Sequence, residues 1–194
     1  MVMGRLREFI NRAAPATIGK ALARLGVKPD EITYLGLALA ALAPVAAGTG
    51  VLWLVPVLIA VSSVMDVLDG AVARALNRTS RFGSYLDSLS DRLSDALFLT
   101  SLIIMGANIY ASVAALTFSF LVSYSRSKGE QLGVKMEGVG LTERGERSVL
   151  LFIASLAAAL MESLLVNAIV LLIAVLAAVT VVQRSVHVWK ALRG

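Results

Sequence analysis

The stretch DVLDGAVARALNRTSRFGSYLDSLSD, residues 66–91, decides how the rest of the chain is read. Asp66 and Asp69 stand three apart, and Asp87 and Asp91 four apart. On helices each pair shares a face, one side chain a turn above the other. The flanking sequence is apolar enough to lie in a bilayer, where an ionised side chain is costly and marks a functional site by default. The scaffold this implies is two neighbouring helices that bring two aspartate pairs together.

Outward from that stretch the chain is membrane-like. Of its 194 residues 58% are hydrophobic and its mean hydropathy is +0.81, which is too apolar for a soluble domain of this size. The pattern predicts an all-α integral membrane protein forming a single domain over residues 1–194. In residues 1–31, Met3, Leu6, Phe9, Ile10 and Ala13 recur at helical spacing, and Arg5, Arg7, Glu8 and Arg12 interrupt any signal-peptide core. That segment reads as an amphipathic interfacial helix, broken near Pro15. Pro29-Asp30 makes a cap for the first of six transmembrane helices within residues 32–190. They are placed at about 32–47, 52–76, 85–105, 109–125, 147–161 and 164–189, with a polar loop over 127–144.

Charge sets the orientation. The connections at 48–50, 106–109 and 161–164 hold no Lys or Arg, and all 18 basic residues lie at the opposite ends of the spans or in the loops there. The positive-inside rule then puts both termini and the aspartates on the cytoplasmic face of the cell membrane. The net charge of +5 points to anionic headgroups or phosphorylated substrates. Nucleic acid is not expected, because the basic residues are not interleaved with aromatic ones. Without cysteine and with one histidine, His187, thiolate and multi-His metal sites are excluded.

Asp66, Asp69, Asp87 and Asp91 converging in a low dielectric would repel one another unless they held divalent cations, and hard oxygen donors suit Mg²⁺, Mn²⁺ or Ca²⁺. Gly70 and Ala73 leave that helix face open to a ligand, and Arg74 offers a fork for a phosphate. Gly83 is read as part of the short turn between the two helices. Metals, an arginine and a spare carboxylate are the equipment of phosphoryl transfer. The competing reading pairs the aspartates with Arg74, Arg78, Arg81 and Arg92, but buried ion pairs rarely repay their desolvation. A cation transporter would need polar groups across the whole membrane, whereas the third and fourth spans turn apolar toward the outside.

Asp66, Asp69, Gly70, Ala73, Arg74, Gly83, Asp87 and Asp91 at this spacing resemble the signature of the CDP-alcohol phosphotransferase family. The resemblance implies a membrane enzyme that displaces CMP from a CDP-linked lipid. It implies Asp66, Asp69 and Asp87 as ligands of Mg²⁺ or Mn²⁺, two ions per site, with Asp91 close to the metals and acting as base. Asp66, Gly70, Ala73 and Arg74 fall to the nucleotide and phosphates of the donor, with Ser80 and Gly83 beside them. The Pro-Asn-x-x-Thr of many members is here Pro29-Asp30-Glu31-Ile32-Thr33, with Thr33 available to a phosphate. The resemblance also implies a homodimer.

The acceptor is read from two later segments. Ser123-Tyr124-Ser125-Arg126-Ser127-Lys128-Gly129-Glu130 and Glu143-Arg144-Gly145-Glu146-Arg147 resemble the inositol-phosphate branch of that family, with Arg126 for its Lys and Lys128 for its Arg. Arg184 lies inside the sixth span with no acidic residue close in sequence, and a phosphate-bearing acceptor would supply its partner. The expected acceptor-phosphate pocket is Ser123, Arg126, Arg144, Arg147 and Arg184. The reaction implied is transfer of a phosphatidyl or archaetidyl group to the hydroxyl of inositol phosphate. Glycerol phosphate is the alternative acceptor, and serine, which needs less positive charge, fits less well.

Overall fold

A computed structural model describes residues 16–76 and 80–193. The expected amphipathic segment at the N-terminus lies largely outside them, although residues 16–24 are helical. Six long helices come after it: α1 (Pro29–Gly48), α2 (Leu54–Ala75), α3 (Arg81–Ile104), α4 (Ile109–Gln131), α5 (Arg144–Ala159) and α6 (Ser163–Arg193). Their centres fall where the apolar runs put them. The ends differ, because caps and charged turns extend a helix beyond its apolar stretch. Asp30 does not precede α1 as a cap but lies in its first turn with Glu31, where acidic side chains favour the helix dipole. The polar loop is also shorter than expected. Arg126, Lys128 and Glu130 continue α4, with Arg126 and Glu130 paired at 3.0 Å four residues apart.

Among the described residues, α1, α2 and α6 are long and apolar enough to cross a membrane. On α6, Val166, Ile169, Val170, Ile173, Ala177, Thr180 and Arg184 form a buried stripe at helical spacing. Leu164, Leu171, Leu172, Val175, Val182 and Val186 cover the outer side. A helix apolar on both faces has lipid, not water, as its outer solvent.

The chain divides into two compact units. The first comprises the chain up to Leu42 and Val57–Ser94. In it α1 and α2 approach closely at Gly36, where an added Cβ would lie 3.1 Å from the Met65 Cβ. The buried Ser62 hydroxyl donates to the Gly36 carbonyl at 2.8 Å.

The second unit comprises Ala43–Pro56 and the chain from Asp95 onward. Here α6 packs against α4 and α5. The connection between α4 and α5 is strapped to one face of α6. Thr142 meets Thr180 through its N–H at 3.2 Å and its hydroxyl at 3.1 Å. Arg184 Nε donates to the Val139 carbonyl at 2.9 Å, and His187 Nε2 lies 3.0 Å from the Lys135 carbonyl. Thr180, Arg184 and His187 are four and three residues apart, so one stripe of α6 holds the whole loop. The loop then enters α5 through Glu143, whose N–H donates to the Glu146 side chain at 2.9 Å.

Gly140 makes that strapping possible. Its φ is +119°, and an added Cβ would lie 2.5 Å from the Thr180 Cγ2. Such a backbone costs a residue with a Cβ on the order of 1–3 kcal/mol. Gly140→Ala is therefore expected to lower the Tm measured in detergent. Combining it with Thr180→Ser, which removes the clashing methyl, should recover part of the loss and leave the backbone component. An unchanged Tm in Gly140→Ala would show that the loop is not held as described.

Candidate functional site

In the first unit the aspartates of α2 and α3 come together. Asp66, Asp69 and Asp87 each offer a carboxylate oxygen, and these oxygens all lie within 4.8 Å of one another. Asp69 is buried at 5% exposure, while Asp66 is half-buried. Three anionic groups at that separation, one of them out of water, are held together most simply by a cation. A divalent ion fits the donor set, because carboxylate oxygen is the ligand that Mg²⁺ and Mn²⁺ prefer. Asp91 does not join that group. It is half-buried one turn further along α3, with a carboxylate oxygen 3.7 Å from the Arg92 guanidinium.

Helix α1 contributes one contact that spacing alone did not indicate. The buried Thr33 hydroxyl donates to Asp69 Oδ2 at 2.6 Å. It also lies 3.2 Å from the Pro29 carbonyl, but its single proton serves the shorter, charge-assisted bond. The structure thus places Thr33 behind a carboxylate of the cluster and fixes which way that carboxylate turns.

Gly83 is not in a turn. It lies in the first turn of α3, and its N–H donates to the Ser80 hydroxyl at 2.7 Å, so Ser80 caps the helix. What Gly83 supplies is space. An added Cβ would lie 2.9 Å from Ser80 Oγ and 3.4 Å from Asp30 Oδ1. At Gly70 the open space beside the helix holds the Arg74 guanidinium, whose Nη1 would lie 3.3 Å from an added Cβ. Arg74 itself is exposed in the last turn of α2, and Ala73 beside it is half-buried.

The second unit holds the basic residues expected at the acceptor. Arg147 and Arg184 are buried, at 4% and 3% exposure. Arg184 is tied to protein carbonyls, through Nε to Val139 and through Nη1 to Val122, the residue before Ser123. The charge of Arg184 is acted on by those of Arg126 and Arg147, which repel it, and of Glu143 and Glu130, which attract it. Arg144 begins α5 and is half-buried.

Arg147 has a partner that no motif in the sequence singles out. Its Nη2 donates to Asp95 Oδ2 at 3.1 Å, and both side chains are buried. The signal available was the spacing, since Asp95 repeats the four-residue step from Asp87 to Asp91.

The chain matches the CDP-alcohol phosphatidyltransferase family over residues 27–189. It belongs to that family. It is an enzyme of the CDP-alcohol phosphotransferase type and, with several apolar helices, a multi-pass membrane protein. The archaetidylinositol phosphate synthase of Aeropyrum pernix is 39% identical to it, over 99% of this chain and 98% of that one. The archaetidylinositol phosphate synthase of Pyrococcus horikoshii is 40% identical over 90% of each. Among solved structures, Mycobacterium tuberculosis phosphatidylinositol phosphate synthase with CDP-DAG bound superposes with a TM-score of 0.78. It is 27% identical, with 91% of this chain and 94% of that one covered. A structure of the same mycobacterial enzyme with manganese and citrate has a TM-score of 0.78 and 28% identity, covering 91% of this chain and 89% of that one.

The hydrogen bond from Thr33 leads to a measurable expectation. Loss of an outer partner to a metal-ligating carboxylate typically costs about 10–100-fold in metal affinity. Thr33→Val, titrated with Mn²⁺ and followed by the EPR signal of the free ion, should bind more weakly by that order. Thr33→Ser, which keeps the hydroxyl, should bind nearly as the unmodified protein does. Equal affinity in Thr33→Val would place Thr33 outside metal binding.

Proposed function

We infer that this enzyme transfers the archaetidyl or phosphatidyl group of a CDP-linked lipid to the hydroxyl of inositol phosphate and releases CMP. One observation carries the choice of acceptor. Two arginines, Arg147 and Arg184, are buried in the unit that also holds the Ser123–Glu130 and Glu143–Arg147 segments. A phosphomonoester matches guanidinium donors better than serine, which brings less negative charge. Relatives that bear the name archaetidylinositol phosphate synthase over nearly the whole chain support the same reading.

The donor would be held by the first unit. Asp66, Asp69 and Asp87, with Asp91 near them, would hold two Mg²⁺ or Mn²⁺ ions. When bound, such ions neutralise the phosphates and polarise the bond to be broken. Gly70, Ala73 and Arg74 would take the nucleotide side, Arg74 as a fork for phosphate, with Ser80 and Gly83 next to the base. Thr33 acts here through Asp69. Ser123, Arg126, Arg144, Arg147 and Arg184 would fix the acceptor's phosphate. Asp91 would take the proton from the acceptor hydroxyl as its oxygen attacks the lipid-side phosphorus. A new P–O bond to the acceptor forms as the P–O bond to CMP breaks.

The setting we propose is the cell membrane, with residues 1–31 along its surface and six spans that form one catalytic domain. Both termini and the reaction centre would face the cytoplasm, and the working form would be a homodimer.

Purified enzyme given CDP-lipid and a panel of inositol phosphate, glycerol phosphate, serine and free inositol should release CMP fastest with inositol phosphate. Preference for an unphosphorylated acceptor would overturn the reading, and preference for glycerol phosphate would move it to that acceptor. Asp91→Asn should keep CDP-lipid binding and lose about 10²–10⁴-fold in turnover, the ordinary contribution of a general base. Turnover near the unmodified rate would remove Asp91 from that role.

A further inference from the structure

Arg147 and Asp95 form a pair whose energetics ask for a third party. Arg147 sits in the first turn of α5, where the helix dipole disfavours a cation. Its side chain is 5% exposed and that of Asp95 6%, so both ions have lost most of their water. Such a pair is worth its desolvation only when the remaining donors and acceptors are also satisfied. Here one hydrogen bond joins them, from Nη2 to Oδ2 at 3.1 Å. The Nε–H of Arg147 is buried without a protein partner, and so is Oδ1 of Asp95. A guanidinium carries five N–H donors in a rigid fork, and a single carboxylate oxygen on Nη2 leaves the Nε–H still to be used. Arg184, which is also buried, lies close enough for its charge to feel those of Arg147 and Arg126 as well as those of Glu143 and Glu130. An anion with several acceptor oxygens is the ligand that a free guanidinium N–H matches best.

We propose that Asp95 is a positioning residue for the acceptor, holding Arg147 by Nη2 so that its Nε edge is presented to the acceptor's phosphate. The proposal rests on the reading that the acceptor is phosphorylated and that Arg147 grips it. Asp95 does not touch substrate. It works by preorganisation, because a guanidinium already held in plane loses little freedom when the phosphate arrives. It also offsets the charge of Arg147 when no acceptor is bound, which lets that arginine remain buried between turnovers.

The test separates positioning from mere structural support. KM for inositol phosphate, KM for CDP-lipid and Tm would be measured for Asp95→Asn, Asp95→Glu, Arg147→Gln and the double variant Asp95→Asn with Arg147→Gln. Asp95→Asn should raise the acceptor KM about tenfold or more, as expected for losing a hydrogen bond between charged groups, and leave the donor KM within about twofold. Asp95→Glu keeps the charge and displaces it by one methylene, so its acceptor KM should lie between the two. The double variant should have an acceptor KM no higher than Arg147→Gln alone, since Asp95 acts through that arginine. The double variant carries no uncompensated buried charge, so it keeps the question open to measurement even if Asp95→Asn alone fails to fold. An equal rise in donor and acceptor KM, or additive effects in the double variant, would overturn the proposal. If Arg147→Gln raises the acceptor KM and Asp95→Asn does not, the positioning role falls while the phosphorylated acceptor stands. If Arg147→Gln leaves the acceptor KM unchanged, the assignment of Arg147 falls and the role of Asp95 falls with it.

Discussion

An ionised side chain taken out of water must be answered by a counter-charge, a set of hydrogen bonds or a metal ion, and in an apolar helix few such answers are available. This constraint organises the molecule. Among the described residues the buried charges are answered in different ways. Asp69 receives the Thr33 hydroxyl and stands within reach of Asp66 and Asp87. Arg184 is answered by two backbone carbonyls, one from the α4–α5 connection and one from α4 itself. Arg147 is answered by Asp95. The carboxylates of the first have the geometry to hold a cation, and the last leaves the Arg147 Nε–H and Asp95 Oδ1 without a protein partner. Arg184, by contrast, spends two of its groups on the protein. That makes it a clamp on the loop that leads into α5 as well as a candidate for the acceptor's phosphate.

The aspartate cluster was legible from spacing because the helix repeat is reliable over one turn, and Asp66 with Asp69 needs no more than that. The positions of the six helices were legible for a similar reason, since apolar runs of this length have few alternatives to a helix. Their ends were less so. Glycine between two apolar runs is a turn signal, and Gly83 reads as one in the sequence. Its actual place is inside the helix, where Ser80 caps the first turn and the Asp30 carboxylate stands close by. Close approach and turn geometry call for the same residue, and a single sequence does not separate them. Arg184 looked unpartnered because no acidic residue is near it in sequence, but carbonyl partners are invisible in a sequence. The partner of Asp95 lies 52 residues away, and no local pattern announces a pairing across that distance.

Helix α3 shows how one regular spacing can serve more than one purpose. Asp87, Asp91 and Asp95 succeed one another at four-residue steps. Four residues overshoot one turn of 3.6, so each step rotates the side chain by about 40° around the axis. Asp87 and Asp95 therefore point roughly 80° apart, although they read as one acidic stripe. That rotation is enough for Asp87 to take part in the carboxylate cluster with α2 while Asp95 meets an arginine of α5. Asp91, between them, sits half-buried with a carboxylate oxygen 3.7 Å from the Arg92 guanidinium. Three identical residues on one helix are thus separated into three environments by the mismatch between four and 3.6. The same helix that supplies a cluster oxygen also carries the residue that steadies Arg147.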